Sequence, residues 1–176
     1  MGLPAFKYHP DPVATGAVME SDETCACCGQ ARGFAYEGAV YGDKEIDGVI
    51  CPWCIADGSA AKKFAVSFSD EHGLLDAGVS AAIVEEVTKR TPGFITWQQE
   101  TWLVCCDDSC AYHGDAPKSE LQALSGEDLE STLEFLEWDQ PTWSSFLASY
   151  EEGGDHSMHK FVCTHCGEAH YLSDPS

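Results

Sequence analysis

Positive charge is the property that this sequence lacks most. Only 9 of its 176 residues are lysine or arginine, against 30 aspartates and glutamates, and the formal net charge is −21 at pH 7. A field of that sign repels a phosphate backbone, so the composition disfavours a protein that binds nucleic acid. It favours a basic partner, while the simpler alternative is that the acidity serves only solubility.

Long apolar runs are missing as well. No stretch of 18 apolar residues occurs, so no transmembrane helix is expected. The first ten residues have no basic segment followed by an apolar one, and we therefore expect no signal peptide and a cytoplasmic location. In a reducing cytosol, cysteines paired in Cys-x-x-Cys turns are metal ligands more often than disulfides.

The familiar catalytic signatures are absent too. The chain has no glycine-rich phosphate loop, no Gly-x-Ser-x-Gly turn and no His-Glu-x-x-His helix. The zinc deaminase pattern needs a His-x-Glu before Pro-Cys-x-x-Cys, whereas this chain has Cys51-Pro52-Trp53-Cys54 without that His-x-Glu. These absences favour a protein that is not an enzyme.

What the sequence does contain is ten cysteines, four of which form two turns near the start of the chain. Cys25-Ala26-Cys27-Cys28-Gly29 precedes the second turn at Cys51–Cys54, and 22 residues separate Cys28 from Cys51. That spacing is typical of a zinc ribbon. The predicted ligands of the first zinc ion are Cys25, Cys28, Cys51 and Cys54. Cys27 is either a spare thiol or a replacement for one of the first two.

The secondary structure expected around the first site is a hairpin and a helix. Residues 33–41 alternate β-prone side chains and residues 49–50 form a second short strand. Residues 55–65 are rich in alanine and lysine and predict a helix. A Cys-x-x-Cys at a helix N-terminus also suits a thiol oxidoreductase using Cys51 and Cys54, but the partner turn favours zinc.

The second metal site is predicted near the other end of the chain. Four cysteines in two further turns are its expected ligands, namely Cys106, Cys110, Cys163 and Cys166. Apolar pairs at 161–162 and 171–172 predict a hairpin around the latter turn. Rival ligands lie close by in the sequence: Cys105, His113, His165 and His170.

Three amphipathic helices and an extended arm complete the expected structure. Residues 79–89 predict one helix, leucines at 129, 133 and 136 a second, and apolar residues at 143, 146, 147 and 150 a third. Prolines at 4, 10 and 12 keep residues 3–16 extended, with Phe6, Tyr8 and Val13 as anchors.

The segment 94–104 carries two tryptophans and two adjacent glutamines. Its composition is typical of a buried segment. An enzymatic alternative remains open here, namely a hydrolase built around Trp97, Gln98, Gln99, Trp102 and a histidine.

Several strings together resemble the CbrC-like family of bacterial proteins. They are the arm from Leu3 to Gly16, the run from Cys51 to Ala61, Arg90-Thr91-Pro92-Gly93, Trp97-Gln98-Gln99-Glu100, Cys106-x-Asp108-x-Cys110 and Phe161-x-Cys163-x-x-Cys166-Gly167. That family often has histidine at the position of Cys105. The resemblance implies a role in tolerance of a nuclease-type colicin, and a basic nuclease toxin domain as the partner.

The sequence as a whole predicts an α+β protein of one domain, residues 1–176. Residues 1–65 form an arm and a first zinc-ribbon module, and residues 66–176 form a helical part and a second zinc module. We expect two structural zinc ions and a cytoplasmic interaction protein that binds a basic protein, with no membrane and no nucleic acid as partner. An enzyme is the alternative.

Overall fold

Short helices and small antiparallel sheets make up the computed structural model, which describes residues 2–43 and 45–175. The strands are β1 (Val18–Thr24), β2 (Ala31–Tyr36), β3 (Val104–Cys105), β4 (Asp108–Ser109), β5 (Ala111–Asp115), β6 (His156–Val162) and β7 (Ala169–Pro175). The helices are α1 (Pro52–Ala56), α2 (Ser59–Phe64), α3 (His72–Asp76), α4 (Ala81–Arg90), α5 (Lys118–Ala123), α6 (Gly126–Leu136) and α7 (Gln140–Ser149). This mixture agrees with the α+β class.

The first hairpin differs from the one predicted. β1 pairs with β2, with Val18 opposite Tyr36, so the turn at Cys25 lies between these two strands. Residues 49–50 form no strand, but Ala26 N donates to Val49 O at 2.8 Å and Tyr36 N donates to Ile50 O at 2.9 Å. β1 was not predicted because most of its residues are polar and exposed, so its sequence shows no apolar alternation.

The second hairpin confirms the prediction and extends it. β6 and β7 pair from His156 opposite Pro175 to Val162 opposite Ala169, and they enclose the turn at Cys163. β6 is the central strand because β5 pairs along its other edge. The three-stranded sheet therefore brings residues near 110 and 163 together, although about fifty residues separate them in the sequence.

The three long helices, α4, α6 and α7, confirm the apolar periodicity found in the sequence. α4 begins after Ser80, whose hydroxyl accepts from Ile83 N, and α7 begins after Asp139, whose carboxylate accepts from Thr142 N. The shorter helices differ from the prediction in two respects. The helix predicted over 55–65 is two helices, because Gly58 has a φ of +73° and breaks it. α3 and α5 were not predicted, since each is only five or six residues long.

The N-terminal arm joins two of the apolar clusters in the described part of the chain. Phe6 lies in the cluster around Cys51 and Cys54, while Tyr8 lies in the cluster of Phe94, Trp102 and Phe161. A further cluster joins α5, α6 and α7 to the sheet through Leu121, Leu133, Phe146 and Met158. Val13 is 39% exposed and is not an anchor, which corrects that prediction.

None of the helices in residues 2–43 and 45–175 combines the length and the apolar character needed to cross a membrane.

Candidate metal centres

The first cysteine cluster joins the turn of the β1–β2 hairpin to the start of α1. Cys25 Sγ lies 3.9 Å from Cys54 Sγ, and Cys28 Sγ lies 3.9 Å from Cys51 Sγ. All four sulfurs lie within 4.8 Å of one another. Sulfurs bound at about 2.3 Å to one tetrahedral zinc ion would be about 3.8 Å apart, while a disulfide needs about 2.05 Å. The donor set and its spacing therefore fit a zinc ion.

Backbone amides surround the sulfur of Cys25. Burial raises its pKa, but N–H groups of Cys28, Cys51 and Cys27 point at the sulfur and lower the pKa to about 7. Burial raises the pKa of Cys51 to about 11 and raises that of Cys54 as well. A thiol oxidoreductase instead needs a lowered pKa at the attacking cysteine. Cys51 and Cys54 each also have a sulfur of the other turn 3.9 Å away, so they belong to one group of four and do not stand apart as a redox pair.

The residues that follow Cys54 shape the backbone beside this cluster. Asp57 Oδ1 accepts from Ser59 N at 2.8 Å, and Gly58 supplies the left-handed conformation between α1 and α2. Ser59 Oγ donates to Cys54 O at 3.4 Å and lies 3.5 Å from Cys27 Sγ. Cys27 therefore contacts Ser59 instead of completing the group of four sulfurs.

The second cysteine cluster combines Cys105 and Cys106 with Cys163 and Cys166. Cys105 Sγ lies 3.8 Å from Cys106 Sγ and 3.8 Å from Cys166 Sγ, again the edge length of a zinc tetrahedron. Cys110, which the sequence spacing selected, lies outside this group. It is fully buried among Trp102, Tyr112 and Phe161, and Cys105 is the fourth member of the group that could hold a metal ion.

The backbone between β3 and β4 explains why Cys105 takes that place. Cys106 and Asp107 form the two-residue loop of this hairpin, with φ of 54° and 58°. Two successive positive φ angles define a type I′ turn, which usually needs glycine or asparagine. Left-handed backbone costs about 1–2 kcal/mol per ordinary residue. The loop uses this strained conformation to bring two adjacent sulfurs to one centre.

The turns at 25–29 and 163–167, one in each cluster, have the same geometry. Cys25 N donates to Gln30 O at 3.0 Å and Cys163 N to Glu168 O at 2.8 Å. The glycine that ends each turn, Gly29 or Gly167, has a φ near +70°. At Cys163, burial raises the pKa, but N–H groups of Cys166 and His165 lower it to about 6. Both turns therefore favour a thiolate at their first cysteine.

Asp108 fixes the surroundings of the second cluster. Its carboxylate is buried, and among the described residues five groups lie within hydrogen-bond distance: Lys7 Nζ, Tyr8 OH, Ser109 N, Thr164 Oγ1 and His165 Nε2. Burial acts to raise the pKa of Asp108, but bonds from Lys7, Tyr8 and His165 hold it well below its usual range. Asp108 thereby ties the N-terminal arm to the turn that carries Cys163 and Cys166.

The three histidines considered as alternative ligands of the second site lie in different surroundings. His165 Nε2 lies 2.8 Å from Asp108, so it supports the cluster without joining its sulfurs. His113 lines a cleft of about 370 Å³ with Thr15 and Glu152. His170 forms a separate group with Cys105 and Glu168, in which one ligand atom of each lies within 4.8 Å of the others.

The proposed hydrolase segment is not gathered at one place. Trp97 is 64% exposed and both glutamines lie at the surface, whereas Trp102 is 3% exposed and packs on Phe94 and Phe161. Gln98 Nε2 donates to Pro175 O, and Gln99 Nε2 donates to Asp70. The structure therefore separates the residues that the hydrolase alternative needs.

Comparison with known proteins gives one family over almost the whole chain. The family described as an uncharacterised protein family (UPF0167) matches residues 3–175. The chain belongs to UPF0167. UPF0167 protein PA1536 of Pseudomonas aeruginosa is 51% identical over 173 residues, which cover 98% of this chain and 97% of the relative. UPF0167 protein Mb2317 of Mycobacterium bovis is 38% identical over 167 residues, 94% of this chain and 89% of the relative.

These matches correct the family resemblance drawn from the sequence. The family and the relatives carry the UPF0167 name, and the CbrC-like assignment is wrong. The colicin tolerance that it implied loses its basis. No solved structure matches the chain significantly.

Proposed function

We propose that this UPF0167 protein is a zinc-stabilised interaction protein whose acidic surface binds a basic protein partner. One Zn²⁺ ion in each four-cysteine centre holds the fold together. The observation that carries the metal assignment is the set of 3.8–3.9 Å distances between sulfurs in both centres. Four sulfurs close the coordination shell of zinc, which is typical of a structural ion.

Each proposed ion would join parts of the chain that are distant in sequence. The first connects the β1–β2 hairpin to α1, and the second connects the β3–β4 loop to the β6–β7 turn. A site of this kind does not exist in the unfolded chain, so the free energy of metal binding becomes free energy of folding. This role needs neither an open coordination position nor a substrate.

The acidic surface is concentrated in the helical part of the chain. Residues 119–155 contain ten acidic residues and neither lysine nor arginine: Glu120, Glu127, Asp128, Glu130, Glu134, Glu137, Asp139, Glu151, Glu152 and Asp155. Four of them repeat along one side of α6 and its end, and their side chains are exposed: Glu127, Glu130, Glu134 and Glu137. We call these four the α6 acidic face.

Several basic side chains contact acceptor groups of the protein itself. Lys63 Nζ donates to Ala26 O and Cys27 O, Lys7 pairs with Asp108, and Lys160 pairs with Glu120. These contacts occupy three of the nine basic side chains, and residues 119–155 contribute only negative charge. A field of that sign accelerates encounter with a basic partner and weakens as salt is added.

Two variants with the same net charge test the binding surface. The first replaces the α6 acidic face (E127Q/E130Q/E134Q/E137Q), and the matched control removes four exposed charges elsewhere (E20Q/D22N/E23Q/D47N). The probe is a purified nuclease domain, because nucleases carry basic surfaces that contact phosphates. We expect the α6 variant to bind at least about tenfold more weakly at about 50 mM salt, and the control to keep most of its affinity.

Salt provides the second readout of the same experiment. Binding by the unchanged protein should weaken strongly between about 50 and 500 mM salt. No binding at low salt, binding indifferent to salt, or equal losses in both variants would contradict the proposed surface.

A further inference from the structure

We infer that the protein has a third divalent-cation site, beside the second four-cysteine centre, formed by Cys105, Glu168 and His170. The site shares the Cys105 thiolate with the zinc ion of that centre, so the inference rests on the proposed structural zinc. One ligand atom from each of the three residues lies within 4.8 Å of the others.

The fold places these three residues on neighbouring segments. Cys105 ends β3, Glu168 follows the Cys163–Gly167 turn, and His170 lies in β7 opposite Phe161. Glu168 Oε2 lies 4.0 Å from Cys166 Sγ, so its carboxylate stands at the edge of the sulfur cluster. The hairpin that builds the second centre therefore also positions the ligands of the third site.

His170 provides an independent reason to expect a ligand. Its Nε2 is buried and has no hydrogen-bond partner among residues 2–43 and 45–175. A buried polar atom without a partner costs free energy, so such atoms are rare in folded proteins. A neutral imidazole nitrogen is also the commonest side-chain ligand of transition metals.

The local charge favours a second cation beside the first. A zinc ion with four thiolates has a net charge of −2, and Glu168 adds a further negative charge. Asp128 lines the same cleft as Glu168 and His170. A divalent cation at the third site would offset these charges, while sulfur, imidazole and carboxylate ligands together suit Zn²⁺ or Co²⁺.

Two of the three proposed ligands, Glu168 and His170, also line a cleft at the surface. It has a volume of about 320 Å³ and lies between α6 and β7, where Thr132, Phe135 and Tyr171 also line it. Three protein ligands leave a fourth coordination position for water or a small molecule. The third site thus has one protein ligand fewer than each of the two four-sulfur centres.

The test counts metal ions on the untagged full-length chain by native mass spectrometry, with zinc ions as the probe. Without added zinc we expect two ions, and with about 50 µM free zinc we expect three. The His170→Ala and Glu168→Gln variants should hold only two ions at this zinc concentration, because each loses one ligand of the third ion. Their affinity for the third ion should fall at least about tenfold. His72→Ala is the control, because it removes an exposed histidine of α3, and it should still reach three.

The outcomes separate this inference from the proposal on which it rests. An unchanged protein that stays at two ions, or a His170→Ala variant that reaches three as readily, would overturn the third site and leave the structural zinc intact. Fewer than two ions without added zinc would overturn the structural assignment, and the third site with it.

Discussion

Lys7 Nζ lies 2.6 Å from Asp108 Oδ2, and this contact holds the N-terminal arm beside the second cysteine cluster. The two partners differ in exposure, since the side chain of Lys7 is 49% exposed and that of Asp108 only 5%. Asp108 also accepts from Tyr8 OH at 2.6 Å and from Ser109 N at 2.8 Å. The carboxylate therefore matters to the fold more than the lysine that pairs with it.

Asp108→Asn should destabilise the protein more than Lys7→Met. The buried asparagine amide would turn its own N–H groups toward donors from Lys7, Thr164 and His165, and a buried polar group left unsatisfied costs about 1–3 kcal/mol. Lys7→Met removes only a half-exposed partner, for which we expect less than about 1 kcal/mol. Urea unfolding of both zinc-loaded variants measures the difference. Equal losses of unfolding free energy in the two variants would show that only the Lys7–Asp108 ion pair contributes to stability, and that the other hydrogen bonds of Asp108 do not.

His9 should make stability depend on pH. The side chain is fully buried, with Nδ1 2.9 Å from Pro92 O and Nε2 2.7 Å from Thr15 Oγ1, and burial lowers its pKa to about 4. A lowered folded pKa means that the unfolded chain takes up the proton first. The stabilisation is therefore complete above the unfolded pKa of about 6.5 and is lost as the pH falls towards 4.

The size of this effect follows from the two pKa values. Between pH 7.5 and 5.5 the wild type should lose about 1.4 kcal/mol relative to His9→Gln, in which this position cannot titrate. Unfolding free energies of both proteins across that range give the comparison, and the other histidines cancel in the difference. A difference that stays constant with pH would mean that His9 is not held neutral.

Cys105→Ser and Cys110→Ala distinguish the two candidate ligand sets of the second centre. Cys105 Sγ lies 3.8 Å from two sulfurs of the cluster, so its serine variant should lose one zinc ion per chain. Cys110 is buried in the apolar cluster of Trp102 and Phe161, so its alanine variant should keep both ions and lose about 1 kcal/mol of packing. Zinc analysis by plasma mass spectrometry checks both, and the reverse pattern would restore Cys110 as the ligand.

The sequence predicts the first centre better than the second for a physical reason. Two cysteines separated by two residues form a turn with little freedom, so Cys25, Cys28, Cys51 and Cys54 follow from spacing alone. Cys105 and Cys106 are adjacent and reach one centre only through a loop in which Cys106 and Asp107 are both left-handed. Aspartate adopts left-handed backbone more readily than most residues, but Cys106 does not, and the loop has no glycine, so its residue types give only a weak indication of this conformation.

Features that depend on neighbouring residues in the sequence were predicted, and features that depend on tertiary contacts were not. The apolar repeats of α4, α6 and α7 lie within each helix, and all three were predicted from the sequence. The division of the arm between two apolar clusters, Phe6 in one and Tyr8 in the other, depends on tertiary packing. The group of Cys105, Glu168 and His170 likewise becomes visible only when β3 and β7 meet.

The most direct test of the structural metal assignment is X-ray absorption at the zinc edge, on protein purified without added zinc. We predict two zinc ions per chain and a first coordination shell of four sulfurs at about 2.3 Å. Cys51→Ser and Cys163→Ser should each remove one ion, because each breaks a different centre. Fewer than two ions, or a shell in which oxygen or nitrogen replaces most of the sulfur, would contradict the assignment.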